Sequence, residues 1–345
     1  MNKPILMNEE EKTTAGTGRV VALSGGIGGA KLALGLKHAL PADALTVIAN
    51  TGDDFEHLGL AVSPDIDTLV YTLSGRADTT RGWGRQDETW HFMAALEELG
   101  GAAWFSLGDR DLAMHVWRTG KLAAGETLAN VTTEACRRLA VGATILPMSD
   151  QAVRTKLATD EGWLDFQDYF VARRAGPPVT ALDYEGAVTS KPADGVIEAL
   201  TDEQTSAIVI CPSNPLISIE PILAVPGITD AIKSAAAPTI AVSPIIGGKA
   251  IKGPTAKMLV ELGIEATAES VLARYGDLID IYLVDPADAD ACAETAAAHG
   301  VEVVAADIMM TTLDHRIRLA HAVLNSAARR TSSIRRPGIK KVDAT

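Results

Sequence analysis

The chain has 345 residues, 47% of them apolar and 22% charged, with a net charge of −13. That is the composition of a globular protein with a sizeable core, and its negative balance argues against a chain built mainly to grip nucleic acid or an anionic membrane. Cys136, Cys211 and Cys292 are far apart and form no C-x-x-C, which excludes a disulfide framework or zinc knuckle. No apolar run reaches the roughly 18 residues of a membrane span, so a cytoplasmic protein with reduced thiols is expected.

Residues 1–18 are polar and lack the apolar centre of a secretory signal; they read as a disordered extension. Order is expected over 19–330 as one α/β domain, followed by a flexible basic tail over 331–345. Val20 to Leu23 is a short apolar run ending in glycines, the pattern of a buried parallel strand. Leu32, Leu36 and Ala39 then recur at helical spacing, and Ala44 to Asn50 reads as a second buried strand. This strand–turn–helix–strand unit opens a doubly wound sheet. From about 75 to 175 the chain holds all five tryptophans and mostly helical spacing, read as a helical insertion with one possible strand at "ATILPM". Sheet signals return at "SAIVICPSNP", "PTIAVSPIIGG", "IDIYLVDP" and "VEVVAADI". A last helix carries Leu313, Ile317, Ala320 and Leu324 on one face. The expected architecture is a Rossmann-like three-layer α/β core with a parallel sheet and a helical insertion. Ligands in such folds sit at the carboxyl ends of the strands. The loops "SGGIGGAK", "NTGDD", "CPSNP" and "SPIIGG" should therefore converge on one crevice.

In the first of these loops, Gly25, Gly26, Gly28 and Gly29 let the backbone approach an anion at a helix N-terminus, with Lys31 behind them. The spacing is neither a P-loop nor G-x-G-x-x-G, and the acidic residue expected to hold a ribose at the end of the second strand is Asn50. A nicotinamide-dependent oxidoreductase is disfavoured. Ser63-Pro64, Asn214-Pro215 and Ser243-Pro244 read as three proline-started helices aimed at the crevice, where Ser213 and Asn214 are candidates for a nucleotide. In "RGWGRQDETW", Asp87 or Thr89 should open a helix, and Trp83 with Arg81 or Arg85 suits a flat anionic substrate. The histidines show no paired ligand spacing and read as structural.

Asp53, Asp54, Asp65 and Asp67 lie in a stretch, 50–73, without a single lysine or arginine. Asp65 and Asp67 suit the helix start after Pro64. Asp53 and Asp54, beside a glycine loop, suit a cation, and magnesium prefers such hard oxygens.

Together "LSGGIGGAK", "NTGDD", "RGWGRQDETW", "LGDRDLA", "PSNPLISI" and "SPIIGGKAIKG" resemble, in order and from about Arg19 to Asn325, the 2-phospho-L-lactate transferase family. The resemblance implies a magnesium-dependent transferase of coenzyme F-420 biosynthesis. Its donor would be a guanylylated phospholactyl, phosphoenolpyruvyl or phosphoglyceryl group, its acceptor the ribityl hydroxyl of the deazaflavin Fo, and its product GMP. It also implies metal ligation by Asp53 and Asp67, then Asp54 and Asp65. Asp53 would serve as well as proton acceptor near the ribityl chain, with Trp83, Arg85 and Gln86 at the deazaflavin. A non-catalytic nucleotide-binding regulator of the same fold is the alternative, and a homodimer is the expected assembly.

Overall fold

The structure is a computed structural model that describes residues 5–6, 18–250 and 254–334. Seven parallel strands build the central sheet: β1 (Arg19–Ser24), β2 (Leu45–Ala49), β3 (Thr144–Pro147), β4 (Thr205–Ile210), β5 (Thr239–Val242), β6 (Ile281–Val284) and β7 (Glu302–Ala305). They lie side by side as β3-β2-β1-β4-β5-β6-β7, and Ile5–Leu6 adds a two-residue parallel edge beside β7. The rest of the expected N-terminal extension, and the tail beyond 334, lie outside the described residues.

Alternation within each strand makes the three layers. Val20 and Ala22 face one helical layer with Val47, Ala49, Leu32 and Leu36. Val21, Leu23 and Ile48 face the other side with Ile208, Ile210 and Tyr282. The first layer contains α1 (Gly26–Ala39), α2 (Pro64–Leu73) and the C-terminal helix Leu313–Ile334. Of the expected face of that last helix, Ala320 and Leu324 are buried but Leu313 is exposed; Leu319 and Val323 complete the buried stripe. α1 and this helix approach so closely that any Cβ at Gly35 would meet the carbonyl of Arg316.

The insertion is helical only in its first part. α3 (His91–Glu98), α4 (Asp109–Ala123) and α5 (Leu128–Leu139) are followed by β3 at "ATILPM". The chain then forms an antiparallel sheet in which Arg154–Thr159 pairs with both Gly162–Asp165 and Val179–Glu185. Its strands alternate, with Leu157 and Leu164 buried and Trp163 exposed, a half-buried pattern that helical spacing obscures when the run is this short. Two helix starts also differ from expectation. Ser243-Pro244 opens a β-hairpin, Ile245–Ile246 against Lys249–Ala250, rather than a helix. α3 begins at His91, with neither Asp87 nor Thr89 as its cap. Asp109 takes the first free amides, from His91 (3.2 Å) and Phe92 (3.1 Å), while Glu88 takes those of Arg110 (2.7 Å) and Asp111 (2.9 Å) at the start of α4. The two segments cap each other's helices across twenty residues, a long-range arrangement that local cap rules do not reach.

Among the described residues no single helix is long and apolar enough to cross a membrane.

Candidate active site

The strand order reverses between β1 and β4, so the chain leaves these neighbours in opposite directions and opens a crevice at their carboxyl ends. A cavity of about 810 Å³ occupies that position. All four expected strand-end loops reach it: Gly25, Gly26, Gly28 and Lys31 from the first, Asp53 from the second, Ser213 and Asn214 from the third and Pro244 from the fourth. Asp65, Asp67 and Trp83 line it as well. Gly29, Asp54, Arg85 and Gln86 do not.

The glycine loop is shaped by its neighbours. Gly26 has φ +62°, in the left-handed region that a side chain would strain. Ser213 Oγ donates to the carbonyl of Gly25 (2.7 Å) and accepts from its amide (3.3 Å), locking the loop to the β4 end. A Cβ on Gly28 would run into the carbonyl oxygen of Pro212, and one on Gly29 into the hydroxyls of Ser24 and Ser213. Gly29 therefore serves close packing rather than the cavity wall. Gly28→Ala should cost about 1–3 kcal/mol of stability, the usual cost of overpacking against fixed backbone, and so lower the urea midpoint. An unchanged midpoint in urea would show that the loop yields freely.

The four aspartates are buried, so they are not solvated turn residues: Asp53 is 8% exposed, Asp54 6%, Asp65 4% and Asp67 5%. Each has an identifiable partner. Asp65 accepts the amide of Gly26 (2.6 Å), the first residue of α1, rather than capping its own helix. Asn50 Nδ2 donates to Asp53 (2.9 Å) and Asp65 (2.9 Å). Ser63 donates to Asp54 (2.7 Å), whose other oxygen, Oδ1, is buried without a hydrogen-bond partner. Asp67 is held by both terminal nitrogens of Arg118, one at 3.1 Å. The stretch that lacks any cation in sequence thus receives one from α4.

Burial, then repulsion from Asp65 and Asp54, holds the Asp53 carboxyl well above its ordinary range. Burial likewise pushes Asp54 up to about 7 and Asp65 to about 6, the latter against hydrogen bonds from Asn50, Gly26 and Asp53. Asn50 Nδ2 bridges the Asp53 and Asp65 carboxyls, which places them side by side, and their mutual repulsion disfavours ionising both when no cation neutralises them. These raised values set a sign. In the folded protein Asp65 and Asp54 stay neutral up to about 6 and 7, against about 3.9 in an unfolded chain. Their stabilisation is complete below the unfolded value and is lost as pH rises through the folded ones. Without divalent cations, the melting temperature should therefore fall between pH about 4 and 7, and Asp54→Asn should flatten that fall. Equal slopes for variant and wild type would refute this.

Five further site residues give no signal as single motifs. Asn50, Tyr71, Asp111, His115 and Arg118 cluster around the aspartates. Tyr71 donates to Asp111 (2.7 Å), and His115 lies 3.5 Å from Asp111 and 3.7 Å from Asp67. Burial favours a neutral Asp111, but its contacts with His115, Tyr71 and Arg118 prevail and hold it below the usual carboxylate range. The signal available was spacing: Asp111, His115 and Arg118 stand at i, i+4 and i+7 on one face of α4. His115, expected to be structural, is buried and lines the cavity. Asp67, Asp111 and His115 lie close enough together to hold a metal ion, but Arg118 already supplies Asp67 with its positive charge.

Phe166 and Phe170 also line the cavity and stack with ring centres 5.3 Å apart. The guanidinium of Arg81 lies 5.0 Å from Trp83 and 4.8 Å from Trp90, and Arg85 stands over the Tyr71 ring at 5.8 Å. The cavity is therefore lined by three kinds of surface: the glycine loop at the start of α1, buried aspartates, and aromatic rings.

Residues 20–323 match the family model described as 2-phospho-L-lactate transferase CofD. A phosphoenolpyruvate transferase of Kitasatospora aureofaciens is 46% identical over 89% of this chain and 97% of its own length. One from Streptomyces coelicolor is 44% identical over 90% and 98%. A solved structure of an upf0052 family protein from Bacillus halodurans superposes with a TM-score of 0.59 at 18% identity, covering 89% of this chain and 99% of that one, which shows the shared fold.

Proposed function

We infer that this chain, which belongs to the 2-phospho-L-lactate transferase CofD family and is a transferase of phospho-acid groups in coenzyme F-420 biosynthesis, moves a phosphoenolpyruvyl group from its guanosine diphosphate conjugate to the ribityl hydroxyl of Fo. The hydroxyl oxygen bonds to the distal phosphorus, the phosphorus–oxygen bond to GMP breaks, and the hydroxyl proton passes to protein. The observation that carries this reading is the cavity at the β1/β4 switch point with its three kinds of lining. The choice of the enolpyruvyl donor among the three is supported by the names of the relatives alone.

Phosphoryl transfer rests mainly on positioning and charge neutralisation. The first-turn amides of α1 beyond Gly26 have no helical acceptor, and with Lys31 they suit the diphosphate. Ser213 and Asn214 line the guanosine side, although each also supports the local backbone. Ser213 pins Gly25, and Asn214 accepts the amide of Leu216 (2.9 Å). Trp83, Phe166 and Phe170 suit the flat deazaflavin, while Arg85 and Gln86, outside the lining, would act on it only through Tyr71 and the loop. Asp53 faces the cavity with a carboxyl raised by burial, which suits a group that must accept a proton near neutrality.

The donor set also suits magnesium. Asp53 and Asp65 line the cavity with hard oxygens, and Asp54, next to Asp53 in the chain, keeps a buried Oδ1 without a hydrogen-bond partner. When bound, magnesium supplies neutralising charge to the diphosphate. Asp67, engaged by Arg118, is a more distant contributor.

The test is incubation with Fo, magnesium and each guanylylated donor in turn, following GMP and the coupled deazaflavin. The enolpyruvyl donor should turn over fastest. Absence of GMP with all three donors would overturn the reading and favour a nucleotide-binding regulator.

A further inference from the structure

Asn50 follows β2 at the position where dinucleotide-binding relatives of this fold carry an acidic residue facing a ribose. Here the side chain turns inward and is fully buried, 0% exposed. Its backbone amide is fixed on the carbonyl of Ser24 at 3.0 Å. Its Oδ1 accepts the amide of Gly52 at 2.8 Å. That contact decides the orientation of the side-chain amide, because a backbone N–H cannot accept from an NH₂ group. Nδ2 must then face its three neighbours: Asp53 Oδ1 at 2.9 Å, Asp65 Oδ2 at 2.9 Å and the carbonyl of Ile217 at 3.1 Å.

These three acceptors come from three chain segments: the loop after β2, the first turn of α2, and the turn Pro215–Ile219 after β4. Two hydrogens serve three oxygens, so at least one is shared. Without the amide, two carboxylates and a carbonyl would converge with no donor between them. A carboxylate at position 50 would add a third negative charge. Only a neutral group with an acceptor on one side and two donors on the other satisfies this environment.

We propose that Asn50 is a positioning residue that sets the spacing of the Asp53 and Asp65 carboxylates and ties both to the nucleotide-side turn at Ile217. The inference rests on the transferase reading above for its effect on turnover, but not for its effect on cation binding.

Two measurements test it: Mn²⁺ binding to substrate-free protein, read from the spectrum of free Mn²⁺ by electron paramagnetic resonance, and turnover with Fo and the donor. Asn50→Ala should weaken Mn²⁺ binding and lower kcat, each by about 10–100-fold, the usual effect of removing a partner that orients ligands. Ser149→Ala removes a comparable buried hydrogen bond, to the carbonyl of Lys191 at 2.7 Å, outside the cavity lining. It should lower the melting temperature and leave both readouts unchanged, which separates positioning from general stability. Asn50→Asp keeps the side-chain shape and the acceptor for Gly52, so it covers the case in which Asn50→Ala does not fold; its kcat should also fall about 10–100-fold. Wild-type Mn²⁺ affinity in folded Asn50→Ala, or wild-type kcat in Asn50→Asp, would overturn the proposal. If the wild-type chain turns over none of the donors, the transferase reading fails, while the Mn²⁺ titration still decides the role of Asn50.

Discussion

Asp53→Asn should lower kcat by roughly 10²–10⁴-fold, the range expected when a group that accepts a proton in the transition state is removed. Among the four clustered aspartates it best meets the requirements of that group. It lines the cavity, and the combined effect of burial and the neighbouring charges of Asp65 and Asp54 raises its carboxyl. Asp54 is raised similarly but does not line the cavity. Asp65 lines it and is raised as well, but less than Asp53, and each of its oxygens already accepts one hydrogen bond, from Gly26 or from Asn50. Asp67 lines it and is held by Arg118. An asparagine at 53 keeps the size of the side chain and an oxygen that Asn50 can reach, so folding should be retained. Binding of a guanosine nucleotide, which on the proposed reading involves the glycine loop and the Ser213 side, should change little. The measurement is initial-rate GMP release at saturating Fo, donor and magnesium. Wild-type turnover under those conditions would eliminate Asp53 as proton acceptor and as an indispensable metal ligand together.

The parts of this molecule that follow from local rules are legible in its sequence. Each of the seven central strands is a short, nearly continuous apolar run because it is buried on both faces, and each is recognisable from that run. The site loops are recognisable because glycine and proline punctuate strand ends. Two kinds of feature escape such rules. One is local but ambiguous: Arg154–Thr159 and Val179–Glu185 alternate over too few residues to stand out from helical surroundings, and Ser243-Pro244 has the composition of a helix start although it opens a hairpin. The other is non-local. Glu88 and Asp109 cap each other's helices, and Arg118 supplies the charge absent from 50–73, yet 51 residues separate Arg118 from Asp67. The absence of lysine and arginine from the acidic stretch therefore does not by itself require a metal. On the proposed reading the cation would be held by a narrower group, Asp53 and Asp65, with the unpartnered Asp54 Oδ1.

Arg118 is also where the insertion is joined to the site, and its removal should have the second large effect. The side chain is 3% exposed and binds Asp67 through both terminal nitrogens, one of which also reaches the carbonyl of Ala61 at 3.3 Å. Burial alone would favour a neutral guanidinium, but Asp67 and, further off, Asp54 keep it firmly charged. Arg118→Met preserves much of the stem and leaves Asp67 as a buried charge without its partner. Such changes cost about 3–5 kcal/mol, enough to lower the melting temperature by several degrees. Because Ala61 and Asp67 both belong to segments that meet at Ser63-Pro64, the same variant should loosen the start of α2, which also carries Asp65. Its kcat should fall along with its stability. The double variant Asp67→Asn/Arg118→Met removes both charges and should regain most of the lost stability, since a buried pair replaced by neutral groups of similar volume is close to neutral in free energy. Urea denaturation of the wild type, both single variants and the double variant gives the coupling energy. If the effects of the single variants simply add, Arg118 is not the charge partner of Asp67, and the excess negative charge of the acidic stretch must be neutralised in some other way.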